Sequence, residues 1–196
     1  MQNKIVSTVL AVFIMSFCVA QKQAKTPAHK RPVFHSYNTF NLLYNSQGLD
    51  AGFQSVNGFS IAGAFAGIGT GVDWYGIRSV PVFLDLRQAF RLGNARFFGY
   101  GNIGYNVAWP GNEDAHSNIS SEYKSDGGIY YDLGLGYLIP FNRRNAMVIS
   151  GGYSVKEMTE RYGFSPCSWP GQCPTMSYEK YAYRFQRLSV KIGWRF

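Results

Sequence analysis

The last fourteen residues of the chain, Tyr183 to Phe196, restrict the fold more than any other stretch. Alternate positions from Leu188 onwards are apolar, and the positions between them are polar, basic or glycine. This period of two predicts a β-strand with one apolar face. An apolar face needs a cover, and a lipid bilayer is one environment that supplies it. The strand is therefore a candidate for the closing strand of a membrane β-barrel, and its outward row would be Leu188, Val190, Ile192, Trp194 and Phe196.

Seven further runs with the same alternation precede this strand. Each has about the 9 to 11 residues with which a tilted strand crosses a bilayer. The second run places Asp50 and Gln54 on its inward face, and the seventh does the same with Lys156. The sequence thus predicts an all-β protein of eight strands: Phe34 to Asn45, Leu49 to Ser60, Phe65 to Tyr75, Val80 to Phe90, Phe97 to Trp109, Gly127 to Pro140, Ala146 to Lys156 and Tyr183 to Phe196.

The connections between the predicted strands differ in length according to their order. Those after strands 2, 4 and 6 are tight, whereas long polar stretches follow strands 5 and 7, at Pro110 to Asp126 and about Glu157 to Ala182. Bacterial barrels have short periplasmic turns, longer outer loops and an even number of strands. Aromatic residues also cluster at strand ends, where rings sit at membrane interfaces: Trp74, Tyr75, Phe90, Phe97, Phe98, Trp109, Phe141, Trp194 and Phe196.

Composition excludes several other classes of protein. Charged residues make up 15% of the chain, against about 25% in soluble domains. The mean hydropathy of −0.15 argues against a bundle of membrane helices, because Ile5 to Ala20 is the one long apolar run. The net charge of +8 is scattered rather than gathered in a stripe, so we expect contact with anionic lipid or lipopolysaccharide rather than with nucleic acid.

The amino-terminal segment has the pattern of an export signal. Lys4, the apolar run and a small residue at Ala20 predict a signal peptide over residues 1–20. A polar, basic and proline-bearing leader is expected over residues 21–33, followed by the barrel over residues 34–196. In an exported chain, Cys167 and Cys173 among prolines and a glycine favour a disulfide that closes a loop, with free thiols as the alternative.

With its signal-like amino terminus, its glycine-rich strands FAGIGTGVDWY and GIYYDLGLGYLIP, and the closing LSVKIGWRF, the chain resembles a known family. It is similar to small, porin-like, eight-stranded outer-membrane β-barrels such as the barrel domain of outer membrane protein A. The resemblance covers Phe34 to Phe196. It implies an antiparallel up-and-down transmembrane barrel in the bacterial outer membrane, and a terminal strand that the barrel assembly machinery recognises.

Inward-facing charges are expected to form ion pairs in a filled interior. An eight-stranded barrel has room for little more than its own side chains, and buried charges persist when they are paired. Arg87 is predicted to pair with Asp85 or Asp132, and Lys191 or Arg187 with Asp132 or Asp73. The inward charges are Asp73, Asp85, Arg87, Asp132, Arg187, Lys191 and Arg195.

Catalysis is the second functional hypothesis, because eight-stranded outer-membrane barrels include lipid-modifying enzymes. The histidines are His29, His35 and His116, and His116 beside Ser117 in a polar loop is the one conceivable catalytic cluster. A GxGxxG spacing from Gly99 to Gly104 lies within a continuous strand, so it predicts no nucleotide site. We expect no cofactor or metal, and a structural or surface-contact role through the long loops. A third hypothesis is a soluble, lipocalin-like barrel with its apolar face inward.

Overall fold

The computed structural model describes residues 31–45, 48–75, 78–109, 122–142, 145–164 and 177–196. In these ranges the chain forms β-strands connected by turns and short irregular segments, and no helix is long and apolar enough to cross a membrane. The strands are β1 Val33–Asn45, β2 Gly48–Ile61, β3 Ala64–Asp73, β4 Ser79–Leu92, β5 Ala95–Ala108, β6 Glu122–Asp126, β7 Gly128–Pro140, β8 Ala146–Phe164 and β9 Ser177–Arg195.

The sheet closes on itself. Every neighbouring pair is antiparallel, and β9 pairs with β8 on one side and with β1, from Leu188 to Arg195, on the other. The short β6 is separated from β7 by Gly127, and both pair with β8, so that together they fill one position in the barrel. The structure is therefore an eight-stranded antiparallel up-and-down β-barrel, which confirms the predicted fold class.

Apolar side chains cover the outside of this barrel. Ile68 is 64% exposed, Leu135 65% and Ile192 49%, each at a position that the alternation assigned to the outward face. The lipocalin-like hypothesis, which required the apolar faces to point inward, is wrong. Val155 was also predicted to face outward with its strand, but it is fully buried, between the larger cross-strand neighbours Tyr131 and Gln186.

Two of the predicted interfacial aromatic residues lie inside the barrel. Tyr75 is 1% exposed and Phe98 2% exposed, because both fall on the inward face of the chain. Others from the prediction are exposed at strand ends, among them Trp74, Trp109 and Trp194. The prediction considered only the position of each ring along its strand. It neglected the alternation of side chains between the two faces, which places Tyr75 and Phe98 inside.

One end of the barrel carries the tight turns. Between β2 and β3, Ala62 has a φ of 53° and Gly63 a φ of 94°, the left-handed pair that a two-residue hairpin turn requires. Gly93 between β4 and β5 has a φ of 61°. At this same end, the backbone groups of Phe196 and Ser36 exchange hydrogen bonds of 2.8 and 3.0 Å. We call it the turn end.

At the opposite end, three strands continue beyond the rest of the barrel. β6 pairs with Thr159 to Gly163 of β8, and β8 pairs with β9 as far as Phe164 and Ser177. We call β6, residues 157–164 and residues 177–186 the extension. The prediction of loops from 110 to 126 and from 157 to 182 was therefore wrong at their inner ends. Beyond the apolar band the outward residues become polar, as at Glu157 and Arg161, so alternation in hydropathy no longer reveals the strand.

Candidate functional site

Among the described residues, the barrel interior contains four one-to-one ion pairs. They join Arg87 to Asp85, Lys191 to Asp132, Lys156 to Asp73 and Arg187 to Asp50. All four cations have side chains no more than 10% exposed. Because each buried cation has its own carboxylate, the eight charges sum to zero in a region that excludes most water.

Nearest the turn end, Arg87 is surrounded by aromatic rings. Its Nε and Nη2 donate to the two carboxylate oxygens of Asp85, both at 2.8 Å. The guanidinium carbon lies 3.9 Å from the ring centre of Tyr37 and within 6 Å of the Phe65 and Phe98 rings. A planar, bidentate ion pair stacked on aromatic faces is the geometry that arginine favours over lysine.

In the middle of the barrel, Lys191 and Asp132 belong to a hydrogen-bonded network. Lys191 Nζ lies 2.5 Å from Asp132 Oδ2 and donates to Gln54 Oε1 at 3.2 Å. The hydroxyls of Tyr100 and Tyr130 donate to Asp132 at 3.0 and 3.3 Å, and Gln54 Nε2 donates to the Tyr130 hydroxyl at 2.8 Å. The network thus connects β2, β5, β7 and β9 across the interior.

Below the extension, Lys156 and Asp73 form the third layer. Lys156 Nζ donates to Asp73 Oδ1 at 2.7 Å and to Ser79 Oγ at 2.9 Å, while Ser79 Oγ also donates to Asp73 at 2.8 Å. The Tyr75 ring lies between two cations, 4.0 Å from Lys156 Nζ and 4.7 Å from the guanidinium carbon of Arg187. This layer closes the interior towards the extension.

The structure brings together some of the predicted partners and separates others. Arg87 contacts Asp85, and Lys191 contacts Asp132; both pairs are among the alternatives that the sequence predicted. Arg187 instead contacts Asp50, and Asp73 contacts Lys156. Asp50 and Lys156 were placed on inward faces by parity but were left out of the predicted network. Counting every inward charge on strands 2 and 7 would have found both.

Large rings and glycines fill most of the remaining interior. An added Cβ at Gly136 would lie 2.2 Å from the Phe98 ring, and one at Gly69 would lie 2.3 Å from the Phe83 ring. Among the described residues, the void between the layer of Arg87 and the layer of Lys191 is on the scale of one water molecule. Its lining includes Thr39, Arg87 and Lys191. Inward glycines such as Gly69 and Gly136 therefore make room for aromatic rings.

The inner face of the extension carries tyrosines and glutamates. Glu160 is the cross-strand neighbour of Tyr181, and Tyr162 is the cross-strand neighbour of Glu179. Tyrosine and glutamate thus alternate both along each strand and across the strand pair. Tyr162 donates to Glu160 at 2.9 Å and Tyr181 to Glu179 at 2.6 Å. Nearer the barrel, the Tyr183 ring stacks on Phe185 with centres 5.9 Å apart.

These tyrosine hydroxyls are held in their neutral form. Hydrogen bonding to the Glu179 carboxylate raises the pKa of Tyr181. Burial, together with the hydrogen bond to Glu160, raises the pKa of Tyr162 to about 12. At physiological pH both hydroxyls therefore remain donors to carboxylates. The face presents neutral aromatic rings beside negative charge.

The remaining predicted site residues, the outward row of the terminal strand and the two cysteines, do not belong to the interior network. The outward residues Leu188, Val190, Ile192, Trp194 and Phe196 are between 49% and 60% exposed along β9. Cys167 and Cys173 lie outside the described residues. Within the described ranges, no three side chains of His, Cys, Asp or Glu are gathered as a metal ion would require.

A closed barrel with an apolar outer band, exposed aromatic residues at its strand ends and a filled polar interior defines an integral outer-membrane β-barrel protein. The apolar band needs lipid, because apolar residues such as Ile68, Leu135 and Ile192 are exposed in the isolated chain. A closed barrel is also one of the two backbone arrangements that can span a bilayer, since it leaves no unpaired strand edge.

Comparison with solved structures gives the same class. The chain resembles outer membrane protein AlkL, whose structure was determined by solid-state NMR in DMPC bilayers, with a TM-score of 0.52 and 10% identity over 88% of this chain and 93% of that one. Outer membrane protein OprG from Pseudomonas aeruginosa is a weaker likeness on which no conclusion rests, with a TM-score of 0.48 and 14% identity over 85% of this chain and 96% of that one.

No protein-family model matches the chain, and no curated protein matches its sequence. At 10% identity, the likeness to AlkL concerns the fold alone. It supports the eight-stranded outer-membrane barrel in general, and nothing in it singles out the barrel of outer membrane protein A.

Proposed function

We propose that this protein is a non-enzymatic outer-membrane barrel that makes contacts outside the cell through its extension. The inner face of the extension, with its exposed tyrosines next to two glutamates, is the observation that carries the proposal. In this orientation the turn end faces the periplasm, as short turns do in bacterial barrels. The barrel would then serve as an anchor, and the extension as the contacting part.

The filled interior supports an anchoring role over a pore. Three layers of paired charges and rings cross the barrel, and the void between the layers of Arg87 and Lys191 is on the scale of one water molecule. A steady ion current would have to break the ion pair of Lys191 and Asp132, the network around it, or both. We therefore expect no conductance above background in planar bilayers.

Tyrosines on a paired sheet suit recognition for a physical reason. Tyr181 is 46% exposed and Tyr183 39% exposed, although both belong to a strand paired along its length with β8. A tyrosine held on such a strand offers a large contact area and loses little conformational entropy on binding. Glu179, which is exposed, would favour a partner that presents basic or hydroxyl groups.

Two further partners belong to this proposal. Lipid and lipopolysaccharide would cover the apolar band, and the barrel assembly machinery would recognise the terminal strand through Leu188, Val190, Ile192, Trp194 and Phe196. The alternative, a lipid-modifying enzyme, depends on His116 and Ser117, which lie outside the described residues. Replacing His116 by Ala would abolish lipid hydrolysis if that alternative held, and would leave surface contact intact if it did not.

Orientation is tested by single cysteines labelled in whole cells with a membrane-impermeant maleimide, in a background with Cys18, Cys167 and Cys173 replaced by Ser. Lys180→Cys in the extension should react, whereas Arg91→Cys at the turn end should react after lysis and not before. The opposite pattern would overturn the proposed orientation. Fractionation and heat-modifiable gel mobility test the location, and recovery in the soluble periplasm would contradict it.

Contact is tested by comparing two faces of the same sheet. Cells that produce the Tyr181→Ser/Tyr183→Ser variant should attach less to a panel of immobilised proteins and glycans than wild-type cells do. Tyr178→Ser is the matched control, because Tyr178 lies on the outer face and is 58% exposed. Equal attachment by all three proteins would refute a contact role for the inner face.

A further inference from the structure

The outer face of the extension carries three cations in one row. Lys124 of β6 is the direct cross-strand partner of Arg161 of β8, and Arg161 is the direct partner of Lys180 of β9. All three are exposed. Directly opposed residues in an antiparallel sheet have Cβ atoms about 5 Å apart, so three positive charges cross three strands at neighbour distance.

This row is unfavourable for the isolated sheet. Like charges directly opposite one another destabilise a strand pair. Among the described residues, Asp126 pairs with Arg161 at 3.2 Å, and no acidic side chain has an ion pair with Lys124 or Lys180. Counting Arg184 and Glu157, the side chains that the structure describes on the outer face of the extension include four cations and two anions, whereas those on the inner face include two glutamates and no cation.

The row lies on the same face as the lipid-covered band. By strand parity, Lys180 points to the side of Leu188, which is 60% exposed. Eight residues separate the two along β9, about 26 Å of strand at roughly 3.3 Å per residue, or about 20 Å of height at a strand tilt near 40°. Arg184 lies halfway between, with its Nη2 donating to Tyr131 at 2.8 Å. The outer face of β9 therefore carries basic side chains at Arg184 and Lys180, beyond the end of the apolar band.

We propose that the row Lys124, Arg161 and Lys180 binds the phosphate and carboxylate groups of the lipopolysaccharide inner core. A multivalent anion would relieve the repulsion within the row, and lipopolysaccharide presents such groups above the outer leaflet, on the lipid-facing side of the barrel. The proposal rests on the proposed orientation, because lipopolysaccharide is confined to the outer leaflet. Guanidinium and ammonium groups are the side chains that suit phosphate and carboxylate.

The experiment removes one opposed pair of cations at each end of the barrel. Arg161→Gln/Lys180→Gln changes the row, and Arg91→Gln/Arg96→Gln changes the directly opposed pair of β4 and β5 at the turn end. Purified protein in detergent is titrated with lipopolysaccharide that carries a phosphorylated inner core. We expect a loss of affinity of about tenfold or more for the first variant and little change for the second. Arg161→Lys, which keeps the charge, should retain most of the affinity.

Thermal stability gives a second readout that a merely structural role would not reproduce. Without lipopolysaccharide, Arg161→Gln/Lys180→Gln should melt close to the wild-type temperature, because the repulsion that is removed offsets the loss of the exposed ion pair between Arg161 and Asp126. With lipopolysaccharide, the wild-type protein should gain more than this variant. Equal affinity of both double variants, or equal binding of dephosphorylated lipopolysaccharide, would overturn the proposal. So would binding of sodium polyphosphate as tight as that of lipopolysaccharide. Because purified protein is used, these outcomes are independent of the labelling test of orientation.

Discussion

The pair of Lys191 and Asp132 allows the strongest test of the interior. Their side chains are 5% and 1% exposed, and the charges lie 2.5 Å apart. Removing one partner of a buried ion pair costs about 3–5 kcal/mol, because the other charge stays desolvated. We therefore expect Lys191→Met or Asp132→Asn alone to shift the folding equilibrium by about 100-fold to several thousand-fold. The double variant should lose much less than the sum, because it leaves no unpaired charge.

The matched control is the exposed pair of Arg184 and Glu157. These side chains are 56% and 43% exposed, with 3.7 Å between Nε and Oε1, and such surface pairs contribute about 0–1 kcal/mol. Both double-mutant cycles are measured by urea unfolding in lipid vesicles, followed by tryptophan fluorescence and gel mobility. If the coupling energy of the buried cycle is no larger than that of the exposed cycle, the interior is hydrated and the description of a filled barrel is wrong.

Three other substitutions test the band, the terminal strand and the packing. Ile192→Asp should destabilise the barrel in vesicles by on the order of 2 kcal/mol, and Ile61→Asp, beside a turn, by much less; equal losses would mean that the band is misplaced. Deleting Phe196 should lower assembly in cells, measured by outer-membrane yield, more than refolding in detergent; parallel losses would indicate a stability effect instead of a signal. Gly136→Ala should cost about 1–3 kcal/mol by overpacking, whereas Gly99→Ala, whose added Cβ lies 3.7 Å from Leu135, should be nearly neutral in the same unfolding assay; similar losses would argue against the ring contact.

Within the apolar band, hydropathy alternation in the sequence was enough to predict the strands and their faces. Lipid covers one face and the interior the other, so each successive residue is selected for a different environment, as from Leu188 to Trp194. The eight strand positions, the tight turns and the outward residues other than Val155 followed from this contrast. The resemblance to outer-membrane barrels added the expected location.

Which residues of different strands contact one another was decided by the tertiary structure alone. Parity puts Asp50, Asp73, Lys156 and Arg187 inside, but the register of the closed sheet determines that Arg187 contacts Asp50 and that Lys156 contacts Asp73. The same register aligns Lys124, Arg161 and Lys180 in one row. The extension was not predictable, because beyond the apolar band the outer face carries charges such as Arg161 and the inner face mixes tyrosines with glutamates. The contrast in hydropathy that marks a strand in the sequence is lost there.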